Sequence, residues 1–224
     1  MRIRTKFVAL VKATHFPQAL AMVLLSVVAS AVFGQLGIQL LFVAIATAAG
    51  QASIGWVNDY VDAKTDIALK RAHKPSVRFS LKPEALRVPI FIALLVSLPF
   101  SFLAAGWIGG SAHILAVASA QIYNLYLSRT VWSWLPYAVS FSLLTVFLIQ
   151  SSSIDLWPSW QIVVIAACVG VTAHILNALP DMELDKRAQL GGLVVTLGRT
   201  KSILVLVVTV FVLLGLLTWQ LLLG

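Results

Sequence analysis

From Val88 to Ser128 the chain runs for 41 residues without a formal charge. The hydrocarbon core of a bilayer is about 30 Å thick and is crossed by roughly 20 apolar residues as a helix, so such a run must cross and fold back. The glycines of "GWIGG", 106 to 110, mark the turn, and the run from Ala13 to Val57 splits likewise near "FGQLGIQ". Charges are confined to 1–12, 59–87, Arg129, Asp155 and 181–201. The gaps between them predict seven spans, at 17–34, 38–57, 88–105, 111–127, 132–150, 160–179 and 203–223. This is the pattern of an all-α integral membrane protein, a bundle of about seven transmembrane helices forming a single membrane domain over residues 1–224.

Composition agrees: 60% of residues are hydrophobic, 11% are charged, and the mean hydropathy is +0.95. If the spans alternate from a cytoplasmic N-terminus, all 16 Lys and Arg residues fall on the inner side, and the C-terminus lies outside. Asp155 is then the one acid on the outer side. The net charge of +8 is accounted for by topology, which argues against a nucleic-acid partner. Span 17–34 follows a basic segment but has no convincing cleavage site, so it reads as an anchor. Cys168 is the only cysteine and lies in the sixth span, which excludes an intrachain disulfide and suits a small core residue.

Two polar segments, 58–87 and 181–201, interrupt this apolar chain on its inner side, and they share a pattern. Asn58, Asp62 and Asp66 in the first match Asn177, Asp181 and Asp185 in the second, each set spaced N-x3-D-x3-D. Residues four apart share one helix face, so each set forms a ladder of oxygen ligands, and two facing ladders would make an acidic cleft. Stacked carboxylates repel each other, and a hard divalent cation such as Mg2+ reverses that cost. Pro180 disfavours helical geometry at Leu179, which predicts a kink between Asn177 and Asp181.

Cations follow both ladders. Lys70, Lys74 and Arg78 after the first, with Lys186 and Arg187 after the second, are candidates to grip the oxygens of a diphosphate. Arg71, Lys82 and Arg87 read as topology charges. Tyr123 and Tyr126, at the inner end of the fourth span, have rings suited to anchor at the interface. His174, three residues before Asn177, reads as an interhelical hydrogen-bonding histidine, or as a base or a hydrogen-bonding partner of the motif residues. His15 and His113 give no signal beyond an interhelical hydrogen bond.

These residues carry a specific resemblance. "GWVNDYVDAKTD" resembles the first signature of the UbiA superfamily of intramembrane prenyltransferases, N-D-x-x-D-x-x-x-D, with Asn58, Asp59, Asp62 and Asp66 in place. "LPDMELDKRAQLGGLVVTLGR" is similar to the second, with Asp181, Asp185, Lys186, Arg187 and Thr196 to Gly198. The resemblance implies a short version of that family's nine-helix bundle, with a central cavity capped on the cytoplasmic side. It implies a prenyltransferase that moves an isoprenyl group from a polyprenyl diphosphate to a small-molecule or lipid acceptor. Mg2+ would assist loss of diphosphate, and the acceptor would capture an allylic carbocation, which the rings of Tyr123 and Tyr126 would face; with His174 they would line the acceptor pocket. Asn58, Asp62 and Asp66 would hold one Mg2+, Asn177, Asp181 and Asp185 the other; Asp62 and Asp181 would be essential and Asp59 supporting.

An aromatic quinone precursor is the expected acceptor, and a bacterial cell membrane the expected location. A phosphosugar or glycerol lipid acceptor is the alternative, as is a non-enzymatic cation-binding transporter or scaffold. A transporter would place its acids near mid-membrane, whereas here they lie at span ends and in loops. "YNLYLSRT" departs from the family's Tyr and Lys signature, with Ser128 where a lysine is expected. The chain also shows one span after the second motif where the family has more, so that either a homo-oligomer closes the bundle, or the cavity is more open than usual, or the activity is lost.

Overall fold

The computed structural model describes residues 3–152 and 157–223 and is helical throughout, with no strand among the described residues. Asp155, the acid expected on the outer side, and Arg2 lie outside the described residues. The helices are α1 (Ile3–Ala13), α2 (Phe16–Val32), α3 (Ile38–Ala68), α4 (Pro75–Arg78), α5 (Arg87–Ile122), α6 (Leu135–Gln150), α7 (Trp160–Ala178), α8 (Met182–Arg187) and α9 (Leu193–Leu223).

The expected span boundaries have local causes. Gly34 and Gly37, at φ +85° and +69°, turn the chain between α2 and α3, a backbone region that favours glycine. At "GWIGG" the turn is sharper than a loop: α5 leaves helical geometry only at Ala105 and Gly106, Gly106 at φ +61°, then resumes. α5 thus has two legs, 87–104 and 107–122. Gly198, at φ +75°, breaks α9 in the same manner. Among the described residues four helical stretches are long and apolar enough to cross a membrane, and the α1–α2 pair, bent by 58°, makes a fifth if taken as one span. α6 is a shorter apolar helix. With the legs of α5 taken separately, the apolar segments fall where the seven spans were expected.

The basic N-terminal segment is helical from Ile3. Its small residues Ala9 and Ala13 are fully buried against Leu81 and Leu86, with Trp56, Tyr60 and Phe79 packed around them. Trp56 Nε1 donates to the Leu10 carbonyl at 2.9 Å, tying α1 to α3.

The chain divides into two compact units, one up to Val117 together with 147–152, the other from Ala118 to Val146 and from Trp157 onward. In the first, α2 packs along α3 through small and hydroxyl residues: Ser26 and Ser30 on α2, and Ala46, Thr47, Gly50 and Ser53 on α3, are buried. Small side chains let helix backbones approach closely, which is how helices associate where lipid supplies no hydrophobic drive. Ser101 Oγ meets His113 Nδ1 at 2.7 Å, and the His113 ring stacks on Phe147, so His113 is an interhelical hydrogen-bonding residue. In the second unit, α7 packs against α9, and Ile175, Met182 and Val194 form the buried centre. Much of α9, including Phe211, Val212 and Trp219, presents exposed apolar side chains.

Candidate active site

α3 does not stop where its apolar run ends. It continues as one helix through the first motif to Ala68, placing Asn58, Asp62 and Asp66 one turn apart on a common face. Asn58 Nδ2 donates to Asp62 Oδ2 at 3.2 Å, so the first two rungs of the ladder touch. Asp66 is 1% exposed and Asp59 3%, a depth at which carboxylates require partners.

Those partners come from the segment that follows. Lys74 is buried, and its ammonium donates to Asp59 Oδ1 at 2.9 Å and to Asn58 Oδ1 at 3.0 Å. Asp66 Oδ2 lies 3.8 Å away. Arg71 Nη1 donates to Asp66 Oδ1 at 3.1 Å, and the guanidinium side chain is 9% exposed. His15 Nε2 stands 3.3 Å from the same Asp59 Oδ1. His15 occupies the left-handed turn between α1 and α2, at φ 54°. Asp59 Oδ2 has no hydrogen-bond partner among the described residues.

Of the three cations expected to follow this ladder, only Lys74 reaches it in the structure. Lys70 is exposed at the left-handed turn that ends α3, and Arg78 is exposed, its guanidinium over the Phe79 ring. Arg71, read from the sequence as a topology charge, is instead an ion-pair partner of Asp66. His15, which carries no signal in the sequence beyond an interhelical hydrogen bond, is a partner of Asp59. The pairing of each with its aspartate depends on a loop and a helix junction folding back, for which the linear sequence offers no periodic signal.

The second motif is built differently. α7 ends at Ala178 and α8 begins at Met182, so Asn177 and Asp181 flank a break. The break falls between Asn177 and Asp181, as expected, although Leu179 itself keeps helical angles, φ −58° and ψ −40°; Pro180, within the break, has no N–H to donate. Asp181 sits at the N-terminal boundary of α8, half-buried, and Asp185 lies on α8, also half-buried. The second set is therefore not one continuous helical ladder. Lys186 and Arg187 are exposed at the end of α8.

Around Asn177 the second unit gathers aromatic rings. Asn177 Nδ2 donates to Tyr137 Oη at 3.4 Å. Tyr137 meets Tyr123 edge to face at 5.1 Å and lies 5.0 Å from the His174 ring, while Tyr123 and His174 are 6.0 Å apart. Tyr123 opens a π-helical turn, Tyr123–Leu127, in which Ser128 donates to its carbonyl at 2.8 Å. Such turns redirect side chains within a helix. Tyr126, on the same turn, is 72% exposed. Tyr137, near the start of α6, was not singled out from the sequence, where one tyrosine after a proline carries no signal.

His174 is buried, and its Nε2 lies 3.1 Å from Ser133 Oγ. Ser133 also accepts from the Leu193 amide at 3.1 Å, linking α7 to the first residue of α9. The loop before α9 lies close to the turn at Arg129: a Cβ built on Gly191 would overlap the Arg129 carbonyl, so only glycine fits.

An all-helical membrane fold carrying two N-x3-D-x3-D motifs defines the class. The sequence model of the UbiA prenyltransferase family matches residues 19–224, and the chain belongs to that family. Solved structures agree in fold. A UbiA homolog from Archaeoglobus fulgidus bound to GPP and Mg2+ superposes with a TM-score of 0.81 at 16% identity, covering 96% of this chain and 78% of that one. The same homolog bound to DMAPP and Mg2+ gives 0.77 at 17% identity, covering 94% and 76%. No curated protein matches the sequence.

Proposed function

We propose that this protein transfers an isoprenyl group from a polyprenyl diphosphate to an acceptor, with an aromatic quinone precursor as the acceptor class. The observation that carries the reading is the convergence of Asn58, Asp59 and Asp66 oxygens on one cation position, held by Lys74, at the end of an apolar helix. Membership of the family and solved relatives with GPP or DMAPP and Mg2+ support it.

The donor set fits Mg2+. Every candidate side chain in the two motifs offers oxygen, the ligand this hard ion takes. Such an ion binds one or two carboxylates and completes its shell with waters and phosphate oxygens. Asn58, Asp62 and Asp66 would hold one ion and Asn177, Asp181 and Asp185 another. When bound, the ions supply charge that stabilises the departing diphosphate.

The chain's own groups do the rest. Lys74 and Arg71, and from the second motif Lys186 and Arg187, supply donors to phosphate oxygens. Tyr123 and Tyr137 present rings beside Asn177, where a developing carbocation would gain roughly 0.5 to 2 kcal/mol from a π face. The positive-inside pattern supports a cytoplasmic N-terminus and a cytoplasmic face for both motifs.

The test is binding of prenyl diphosphates of several lengths to purified protein with and without Mg2+. Mg2+-dependent binding that disappears in Asp62→Ala establishes the donor site and opens an acceptor screen. Binding that is absent, or indifferent to Mg2+, removes the transferase reading.

A further inference from the structure

Lys74 lies deeper than a phosphate-gripping lysine needs to be. It caps the short helix α4, with Pro75 behind it and its amide bonded to the Arg71 carbonyl at 3.0 Å. Its own carbonyl accepts from Arg78 at 2.9 Å and from Val77 at 3.1 Å, so the turn that delivers the side chain is fixed on both sides. An ammonium has three N–H donors. One goes to Asp59, one to Asn58, and the third faces Asp66 at 3.8 Å.

Two of those three residues, Asn58 and Asp66, are ligands the proposed metal would need. We infer that Lys74 is a tethered cation that holds the first motif's donor oxygens and must leave them before a divalent metal can use them. This rests on the transferase reading. The charges around the position are Asp59, Asp62 and Asp66 against Lys74 and Arg71, with His15 on Asp59. A divalent ion entering beside a retained ammonium would meet a like charge a few ångströms away in a partly desolvated site. Metal alone is therefore opposed. A diphosphate changes the balance, because its oxygens give Lys74 new acceptors as it withdraws. Metal and diphosphate then bind cooperatively, each raising the affinity of the other by the same factor.

The experiment measures Mn2+ binding by electron paramagnetic resonance on full-length wild type and on Lys74→Met, with and without inorganic pyrophosphate. Methionine keeps the length of the side chain and removes the charge. Without pyrophosphate, Lys74→Met should bind Mn2+ at least about tenfold more tightly than wild type. The gain should vanish when Asp62→Ala is added. With pyrophosphate, the advantage of Lys74→Met should disappear or reverse.

Unchanged or weaker Mn2+ binding by Lys74→Met without pyrophosphate overturns the inference, as does a failure of both proteins to bind Mn2+. Lys74→Gln, which keeps a hydrogen-bond donor without the charge, serves if Lys74→Met does not fold; both are checked by melting temperature. A lower melting point with no gain in Mn2+ affinity in either variant would make Lys74 a structural ion pair only. Prenyl diphosphate does not enter this comparison, so a wild type that binds Mn2+ but no prenyl donor sinks the transferase reading and leaves the tethered-cation result standing.

Discussion

Asp66 and Asp185, the last acids of the two motifs, close their helices in the same way. The main-chain carbonyl of each accepts from the residue five positions on, Arg71 at 3.0 Å and Leu190 at 2.9 Å. The residue between is left-handed in both, Lys70 at φ 52° and Gln189 at φ 55°. This is a Schellman ending, for which glycine is the usual choice. The repeat visible in the acids therefore extends to the backbone that ends each motif, although no glycine announces it.

Strain at these two residues is measurable. A left-handed conformation costs a non-glycine residue roughly 1 to 2 kcal/mol, while glycine loses about 0.5 to 1 kcal/mol more in the unfolded chain, so Gln189→Gly should stabilise by about 0.5 to 1 kcal/mol. Its detergent melting temperature should rise with donor affinity unchanged. Lys70→Gly should give the same rise and, if Lys70 grips diphosphate, weaker donor binding. A drop in melting temperature in both variants would contradict the assignment of strain.

What the sequence made legible, and what it did not, follows from the range of the interactions. Span limits depend on local residues, and the glycines at 34, 37 and 106 turn the chain where they were expected to. The first ladder is legible because it needs only helical periodicity, which α3 keeps to Ala68. The second is the same ladder with a kink between Asn177 and Asp181, and the helix does break there, around Pro180. His15, Arg71 and Tyr137 were not legible as site residues. Each becomes one through a contact made across a turn or between helices, and neither charge nor spacing distinguishes Arg71, which meets Asp66, from Arg78, which does not.

That distinction is the second prediction. Arg71 Nη1 and Asp66 Oδ1 form a buried pair at 3.1 Å, whereas Arg78 is exposed over Phe79. Removing one partner of a buried pair leaves an uncompensated charge and costs about 3 kcal/mol. An exposed cation–π contact is worth about 0.5 to 1 kcal/mol. Arg71→Met should lower the melting temperature well beyond Arg78→Ala. Equal losses would mean that Asp66 is held by Lys74 alone.

Ser133 offers a third. Its hydroxyl oxygen accepts from the Leu193 amide and faces His174 Nε2, both at 3.1 Å, and it is fully buried. Ser133→Ala leaves two buried polar groups without that partner, a loss of about 1 to 3 kcal/mol. Hydrogen exchange at the Leu193 amide should accelerate selectively while amides in the middle of α7 keep their protection. Uniform acceleration would point to general destabilisation instead of a local link between α7 and α9.

Gly55 sits one turn before Asp59 on α3, and its missing side chain lets α3 approach the turn that carries His15. A Cβ there would stand 2.7 Å from the Thr14 carbonyl carbon and oxygen and 2.8 Å from its Cα. Backbone cannot yield as a side chain tip does, so Gly55→Ala must push α3 away from the α1–α2 junction and lengthen the 3.3 Å contact between His15 and Asp59. Overpacking of this kind costs about 1 to 3 kcal/mol, against up to about 1 kcal/mol gained from alanine's helix propensity. Gly215 is the internal control: it lies within α9, where an added Cβ meets nothing within 4 Å. Gly215→Ala should therefore be neutral or stabilising while Gly55→Ala lowers the melting temperature. If displacement of His15 is part of the effect, His15→Ala will cost less in the Gly55→Ala background than in wild type, a non-additivity that a double-mutant cycle reads directly. Strict additivity would separate the close approach at Gly55 from the anchoring of Asp59.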